Sequence, residues 1–487
     1  MNTFGKVLSV LAAVPFVFSS PHPATSPDIV VYMCDDLGWG STTPYGANPK
    51  LIRTPNVSKL AQAGVIFDNA STTASVCSPT RYAMLTGRYA WRTRLKSGVV
   101  NSFDPLLIDP STPTLGGFLQ ERGYDTAHIG KWHLGYKRER FKNLLGDISP
   151  GPNDVGFDYH FGIPNNMDDI HKVYVENRGV FGLRSDRIKP YGQSFYGTPY
   201  TGYDAPQRDE PEVMTETTKR AVDWISKRKE GRPFFLYFAA VAVHHPVLPS
   251  KRSAGSSAAG AYGDFIHDID DSVGQLMDAL ESRGQLADTV FIFTSDNGGD
   301  IPPKKKTALW QAKDNPPELQ ALEAGLEING KWRGDKHTIY EGGFRVPLIV
   351  SYPKQISGGG RSPAYVSTAD FFATIAEILG TKDLPENTAP DSFSFAHVLH
   401  DPKAPSKRPH TVLNDVKGRQ ALRFGKWKMI DAKVPDSKDL DIELYDIESD
   451  PSEQRDVANK HPETIAQGQK LLQAIRDAAS SRKIEGP

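Results

Sequence analysis

The 487-residue chain reads as an α/β protein, with a mostly parallel mixed sheet between helices and a small α+β subdomain at its C-terminal end. Three observations carry this reading. Short apolar runs recur at 28–34, 124–129, 233–243 and 289–294, each bounded by turn residues, the pattern of strands buried on both faces. Amphipathic stretches at helical spacing lie among them, at 212–229 and 262–284, as crossover helices would. Beyond about Pro385 the pattern changes: residues 411–429 alternate like antiparallel strands and 462–478 close as a helix,. A chain of this length holds one large domain or a large and a small one. The expected division is a leader over 1–19, a large domain over 26–384 and a subdomain over 385–487.

Composition narrows the class. With 38% hydrophobic and 24% charged residues the chain is a soluble globular type, and a net charge of −1 gives no reason to expect nucleic acid. The 42 glycines and 37 prolines imply many loops, as in an α/β enzyme carrying insertions. The two cysteines, Cys34 and Cys77, exclude a disulfide framework and allow one bridge at most,. Lys6 followed by the apolar run 7–18 reads as a secretory signal peptide,. That run is too short to span a bilayer, and no other stretch is apolar enough. The expected product is exported, secreted or periplasmic, or in the ER or lysosome if the source is eukaryotic, without a membrane partner.

Taken in order, the strand candidates end in polar groups, where open α/β sheets bind ligands. Run 28–34 ends in Asp35-Asp36. Adjacent carboxylates repel unless a cation neutralises them, and a hard ion such as Ca²⁺ or Mg²⁺ suits oxygen ligands; an exposed acidic turn is the alternative. Residues 54–64 read as a helix and 65–67 as a strand leading to Cys77-Ser78-Pro79-Thr80-Arg81. There Ser78 as N-cap and Pro79 at the first helical position would start a helix. Cys77 would then sit just outside its N-terminus, where an anion is favoured, with Arg81 in the first turn able to fork onto it. A helix over 112–122 precedes run 124–129, which ends in Gly130-Lys131-Trp132-His133-Leu134-Gly135. Lys131 and His133, two apart, would face one side if extended.

Residues 151–188 are long, irregular and aromatic, and such loops are usually functional. Run 233–243 ends in His244-His245-Pro246, and a surface histidine pair is the alternative to a site. Run 289–294 ends in Ser295-Asp296-Asn297. Asp296 and Asn297 with Asp35 and Asp36 make an oxygen-bearing set for one Ca²⁺, which would act as a Lewis acid. An insertion over 300–329 carries Lys304-Lys305-Lys306, either a polymer contact or a solvated charge run. Lys336 follows, then a strand over 346–352 and a helix over 369–379. Together 165–187 and 300–329 are the candidate substrate-selecting loops.

Cys77-x-Pro79-x-Arg81 with Leu85-Thr86-Gly87-Arg88 resembles the signature of the type I sulfatases, whose cysteine is oxidised to formylglycine. Gly130 to Gly135, His244-x-Pro246 and Asp296-Asn297 match further motifs in the family's order. The segment around Lys336 resembles Arg-Gly-Gly-Lys-Gly-Thr, with Asp335 and His337 in place of two glycines. The resemblance covers nearly all of the chain after the leader and implies an alkaline-phosphatase-like fold. It implies one Ca²⁺ held by Asp35, Asp36, Cys77 as formylglycine, Asp296 and Asn297, with Lys131 and Lys336 on the sulfate. Arg81 and His133 would orient the nucleophile, and His244 would protonate the leaving oxygen. A formylglycine-generating maturation enzyme is then a required partner, and a sulfated carbohydrate the expected substrate. An aryl sulfatase, a phosphodiesterase or phosphonate hydrolase of the same superfamily, and an inactive glycan-binding relative are the alternatives. The last predicts a lost catalytic residue, and every motif residue is present.

Overall fold

The computed structural model describes residues 26–194, 197–302, 316–431 and 442–486. The expected leader and Lys304-Lys305-Lys306 lie outside the described residues. Twelve strands precede the C-terminal region: β1 (Asp28–Cys34), β2 (Gly64–Ser71), β3 (Asp125–Lys131), β4 (Tyr159–Ile163), β5 (Val175–Glu176), β6 (Gly179–Val180), β7 (Ser185–Ile188), β8 (Tyr203–Asp204), β9 (Phe234–Ala239), β10 (Thr289–Ser295), β11 (Leu348–Ser351) and β12 (Gly360–Ser367). Ten of them form one sheet in the order β12-β2-β11-β10-β1-β9-β3-β4-β5-β6. The run from β10 through β1, β9 and β3 to β4 is parallel throughout. β11 is antiparallel to both β10 and β2, so the sheet is mixed but mostly parallel at its centre.

The apolar run of β1 explains its central place. Ile29, Val31 and Met33 pack into the core on one face, Val30, Tyr32 and Cys34 into the core on the other. A strand with both faces covered needs no polar alternation. Helices Val213–Ser226 and Gly260–Ser282 bury Ala221, Trp224, Phe265 and Ile269 against the second face. Helices Cys77–Thr86 and Phe371–Ile378 bury Met84, Leu85, Phe371 and Ile375 against the first.

The C-terminal strands β13 (His410–Asn414), β14 (Gln420–Phe424), β15 (Trp427–Asp431) and β16 (Glu443–Asp446) make an antiparallel sheet in sequence order. One face takes Leu471, Leu472 and Ile475 of helix Pro462–Asp477. Its other face packs Leu413, Ala421, Ile430 and Tyr445 on Ile339 and Phe344, the segment that carries Lys336.

Three local expectations change. The helix expected to follow Cys77 starts at Cys77 itself, with Val76 at the N-cap and no side-chain cap. Ser78 is drawn elsewhere: its hydroxyl donates to the His133 carbonyl at 2.8 Å and accepts from the Val100 amide at 3.0 Å. His133 does not continue the strand, because its φ of 55° turns the chain, so Lys131 and His133 do not share one extended face. β12 is an edge strand that the sequence hides, since Pro363 falls where its register slips between Ser362 and Tyr365, the position where a sheet tolerates proline.

Candidate active site

Four adjacent parallel strands deliver the candidate residues to one end of the sheet. The register sets Cys34 beside Ser295, so Asp35-Asp36 leave β1 next to Asp296-Asn297 leaving β10. β3 ends in Lys131, and the chain after β9 reaches His244. Gly130 allows the crowding: its φ is 115°, and a Cβ there would lie 1.9 Å from the Ala239 carbonyl oxygen,. Asp36, His133 and His337 also hold positive φ, a conformation that costs free energy and concentrates at functional sites.

The structure brings all the sequence-named residues together. Lys131 Nζ lies 2.8 and 2.7 Å from the two oxygens of Asp35. Lys336 Nζ lies 2.6 Å from Asp36 Oδ2, and Asn297 Nδ2 donates to Asp36 Oδ1 at 2.7 Å. Arg81 forks onto Asp296 Oδ2 through Nε at 3.0 Å and Nη2 at 2.7 Å. The Asp36 amide donates to Asp296 Oδ1 at 3.1 Å. Cys77 Sγ is 3.6 Å from Asp35 Oδ1. His244 Nε2 is 3.8 Å from Asp36 Oδ2, and its Nδ1 is 2.6 Å from the His245 carbonyl. All of these side chains are buried.

The electrostatics divide the groups. Burial, reinforced by Asp296 and Asp36, lifts Asp35 to about 7 despite Lys131 and Arg81. Burial also presses Asp296, but Arg81 and Lys131 hold its carboxyl below the usual range. Burial and then Lys131, Arg81 and Lys336 keep His133 neutral. Burial with Lys336, His245 and Lys131 does the same to His244. Burial pushes the Cys77 thiol well up, so as a plain cysteine it is a poor nucleophile at neutral pH.

Two features fit a bound cation. Asn297 Oδ1 is buried without a hydrogen-bond partner, which is costly unless something meets it. Ligand atoms of Asp35, Asp36, Cys77 and His244 lie within 4.8 Å of one another, a spacing at which one ion could be shared. The His133 ring is buried beside this cluster, with Lys131, Arg81 and Lys336 acting on it.

Sequence reasoning missed the groups around His245. Its Nε2 lies 3.2 Å from Asp168 Oδ2 and its Nδ1 3.7 Å from Asp300 Oδ2. Although burial opposes it, these acids raise His245 to about 10, while His245 and Lys336 bring Asp300 down to about 2 against burial. No motif marks Asp168 or Asp300. The one signal was position: each falls in a loop that the sequence singles out as substrate-selecting. Tyr237, whose hydroxyl is 3.4 Å from Arg81 Nη1, was hidden inside an apolar strand.

Comparison with known proteins agrees with this arrangement. The sulfatase family model matches residues 27–381, and the model of the C-terminal region of N-sulphoglucosamine sulphohydrolase matches 330–479. The chain is 33% identical to an N-acetylgalactosamine-6-O-sulfatase of Bacteroides thetaiotaomicron, over 92% of this chain and 93% of that one. It is 29% identical to the human N-acetylgalactosamine-6-sulfatase, over 84% of this chain and 73% of the relative. A solved sulfatase structure described under the metabolism of multiple glycosaminoglycans by Bacteroides thetaiotaomicron superposes with a TM-score of 0.83 at 32% identity, covering 93% of this chain and all of that one. A family model spanning most of the chain, on an α/β sheet of the alkaline-phosphatase-like kind, places the protein: it belongs to the sulfatase family and is a sulfuric ester hydrolase.

Proposed function

We propose that the protein is exported and removes sulfate from a carbohydrate, with formylglycine made from Cys77 by a maturation enzyme and one bound Ca²⁺. The observation that carries this reading is the buried set at the four strand ends, in which Cys77, Arg81, Lys131 and Lys336 surround three acids. A 6-sulfated N-acetylgalactosamine is the first substrate to try, since relatives bear that name. The leader over 1–19 and the division at 384/385 belong to the same proposal. Among the described residues no helix is long and apolar enough to cross a membrane.

Asp35, Asp36, Asp296, Asn297 and residue 77 would hold the Ca²⁺, which supplies Lewis-acid polarisation of a sulfate oxygen. Formylglycine supplies, as its hydrate, one hydroxyl to attack sulfur and a second whose deprotonation releases sulfate. The chain's own residues do the rest. Lys131 and Lys336 neutralise the charge that develops on the sulfate oxygens. Arg81 is locked by Asp296, so its guanidinium stays fixed beside residue 77. His133, neutral, can accept a hydrogen bond from the nucleophile. His244 on its own is neutral; the negative charge of a bound ester offsets Lys336 and Lys131 and lets it carry the proton for the leaving oxygen.

The test is sulfate release from a panel of defined sulfated saccharides, with an aryl sulfate and a phosphate diester alongside. Turnover of at least one sulfated sugar is expected. Hydrolysis of the phosphate diester with no sulfate released from any substrate would contradict the reading.

A further inference from the structure

Two carboxylates stand where an anion pocket should have none. Lys336 Nζ touches Asp36 at 2.6 Å and is also 4.0 Å from Asp300 Oδ2. Ligand atoms of Asp168, His244 and His245 lie within 4.8 Å of one another. Asp168 and Asp300 therefore rim the sulfate pocket and would repel sulfate if they met it directly. Each has a buried oxygen, Oδ2, in contact with a cation, and a carboxylate keeps lone pairs beyond that contact to accept from a ligand,. These are the oxygens nearest His245.

The loop behind Asp168 is pinned. The Met167 carbonyl accepts from Lys172 Nζ at 2.8 Å and Arg208 Nη2 at 3.3 Å. Those cations share Glu210 Oε1, at 2.9 and 3.2 Å. Asp300 follows β10, and its neighbour Gly299 is tied on both sides, its amide to Asn329 Oδ1 at 2.8 Å and its carbonyl to Asn329 Nδ2 at 3.0 Å and the Lys336 amide at 3.1 Å. The bracket is thus held in place before any ligand arrives, which lowers the cost of binding.

We propose that Asp168, His245 and Asp300 form a subsite for free hydroxyls of the sugar ring that carries the scissile sulfate, and that this subsite rejects a second sulfate on the same ring. The proposal rests on the carbohydrate reading above. A hydroxyl both donates and accepts: it can donate to an Asp168 or Asp300 oxygen and accept from a ring N–H of His245. Hydrogen bonds to charged groups are the strong ones. A substrate lacking that hydroxyl leaves part of this buried acceptor and donor capacity unmet, and discrimination in sites built to bond a hydroxyl runs to about 10⁴-fold. A sulfate in place of the hydroxyl loses the donor and adds like-charge repulsion.

The experiment compares kcat/KM on N-acetylgalactosamine 6-sulfate, its 3-deoxy and 4-deoxy analogues, its 4,6-disulfated analogue and an aryl sulfate. Wild type is set against Asp168→Asn, Asp300→Asn and His245→Gln. Wild type should lose at least about tenfold on one deoxy analogue and about a hundredfold on the disulfated sugar. Asp300→Asn should narrow the monosulfate-to-disulfate gap, and His245→Gln should lower the sugar-to-aryl ratio, each by about tenfold or more. If the variants depress sugar and aryl sulfate in the same proportion with the gap unchanged, the bracket only props the pocket and the proposal fails. Equal wild-type rates on the mono- and disulfated sugars would overturn it as well. A wild type that cleaves the aryl sulfate and no sulfated sugar would instead sink the carbohydrate reading, and this subsite with it.

Discussion

Two clusters of buried charge lie on either side of the segment 336–345, and they differ in what they leave unpaired. Toward the sheet ends, Asp35, Asp36 and Asp296 face Arg81, Lys131 and Lys336. Toward the small sheet, Glu341 meets Lys428 at 3.2 Å and Arg423 at 3.5 Å and also pairs with Arg345, while Lys428 meets Glu453 at 2.7 Å. In the second cluster both carboxylate oxygens of Glu341 face cations, and against its burial Arg423, Lys428 and Arg345 hold it far below the usual carboxylate range. In the first, Asp35 stays raised, and Asn297 Oδ1 has no hydrogen-bond partner among the described residues. Buried charge alone therefore does not mark a site. The difference lies in what meets the unspent capacity: Glu453 Oε1 lacks an aligned hydrogen bond but touches Lys428 Nζ at 2.7 Å, whereas no cation among the described residues is paired with Asn297 Oδ1,.

Exchanging the fates of two lysines is the strongest way to break this contrast. Lys336→Ala should lower kcat by about 10²–10³-fold and, with Ca²⁺ present, change unfolding little. Lys428→Met should cost about 3–5 kcal/mol, because it leaves buried Glu453 without its cation and takes one of three from Glu341,, while kcat per folded molecule holds. Denaturant melts and active-site-normalised kinetics read both. If Lys428→Met were neutral in stability and inactive, the assignment of the two clusters would be reversed.

Metal removal sharpens the same point at a smaller scale. A ligand present at a hundredfold over its Kd stabilises by about 2.7 kcal/mol. Chelation should lower the melting temperature and abolish activity, and Ca²⁺ should restore both. Lys428→Met protein should respond to chelation by the same increment, since its lesion lies in the other cluster. A wild type indifferent to chelation, and metal-free by elemental analysis, would remove the cation from the account.

How much of this was legible in the sequence follows from geometry. β1 and β10 were readable because both faces are buried and the apolar run is unbroken. The residues that leave those strands, Asp35, Asp36, Asp296 and Asn297, were readable because strand ends are where polar groups can converge. The lysine-to-carboxylate pairings were not, for they join residues 96 to 300 positions apart. Asp168 and Asp300 had no motif to announce them, and only tertiary folding sets them on either side of His245. The expected cap at Ser78 failed for the same reason: the distant Val100 amide donates to the hydroxyl oxygen that would have accepted from the helix end, while the hydroxyl donates to the His133 carbonyl,.

That bracket gives the smallest expected effect, and its sign is fixed. Asp300 lies at about 2, below an ordinary carboxyl, so its stabilisation is present above pH 4 and lost as pH falls toward 2,. His245 lies at about 10, above an ordinary imidazole, so its stabilisation is full below pH 6.5 and lost as pH rises through 10,. The stability difference between wild type and His245→Asn, on the order of 2 kcal/mol, should peak between pH 4 and 6.5. It should shrink on both sides. A difference that stays flat from pH 2 to pH 10 would mean His245 is not held as a cation by the two acids,.

The central claim is that catalysis requires a chemically altered residue 77 in this pocket. Mass spectrometry of the peptide containing Cys77, from preparations of known specific activity, tests it directly. The account requires oxygen in place of sulfur with two fewer hydrogens, in a fraction that rises in proportion to activity, and no activity in Cys77→Ala. A fully active preparation whose Cys77 is an unmodified thiol would contradict it.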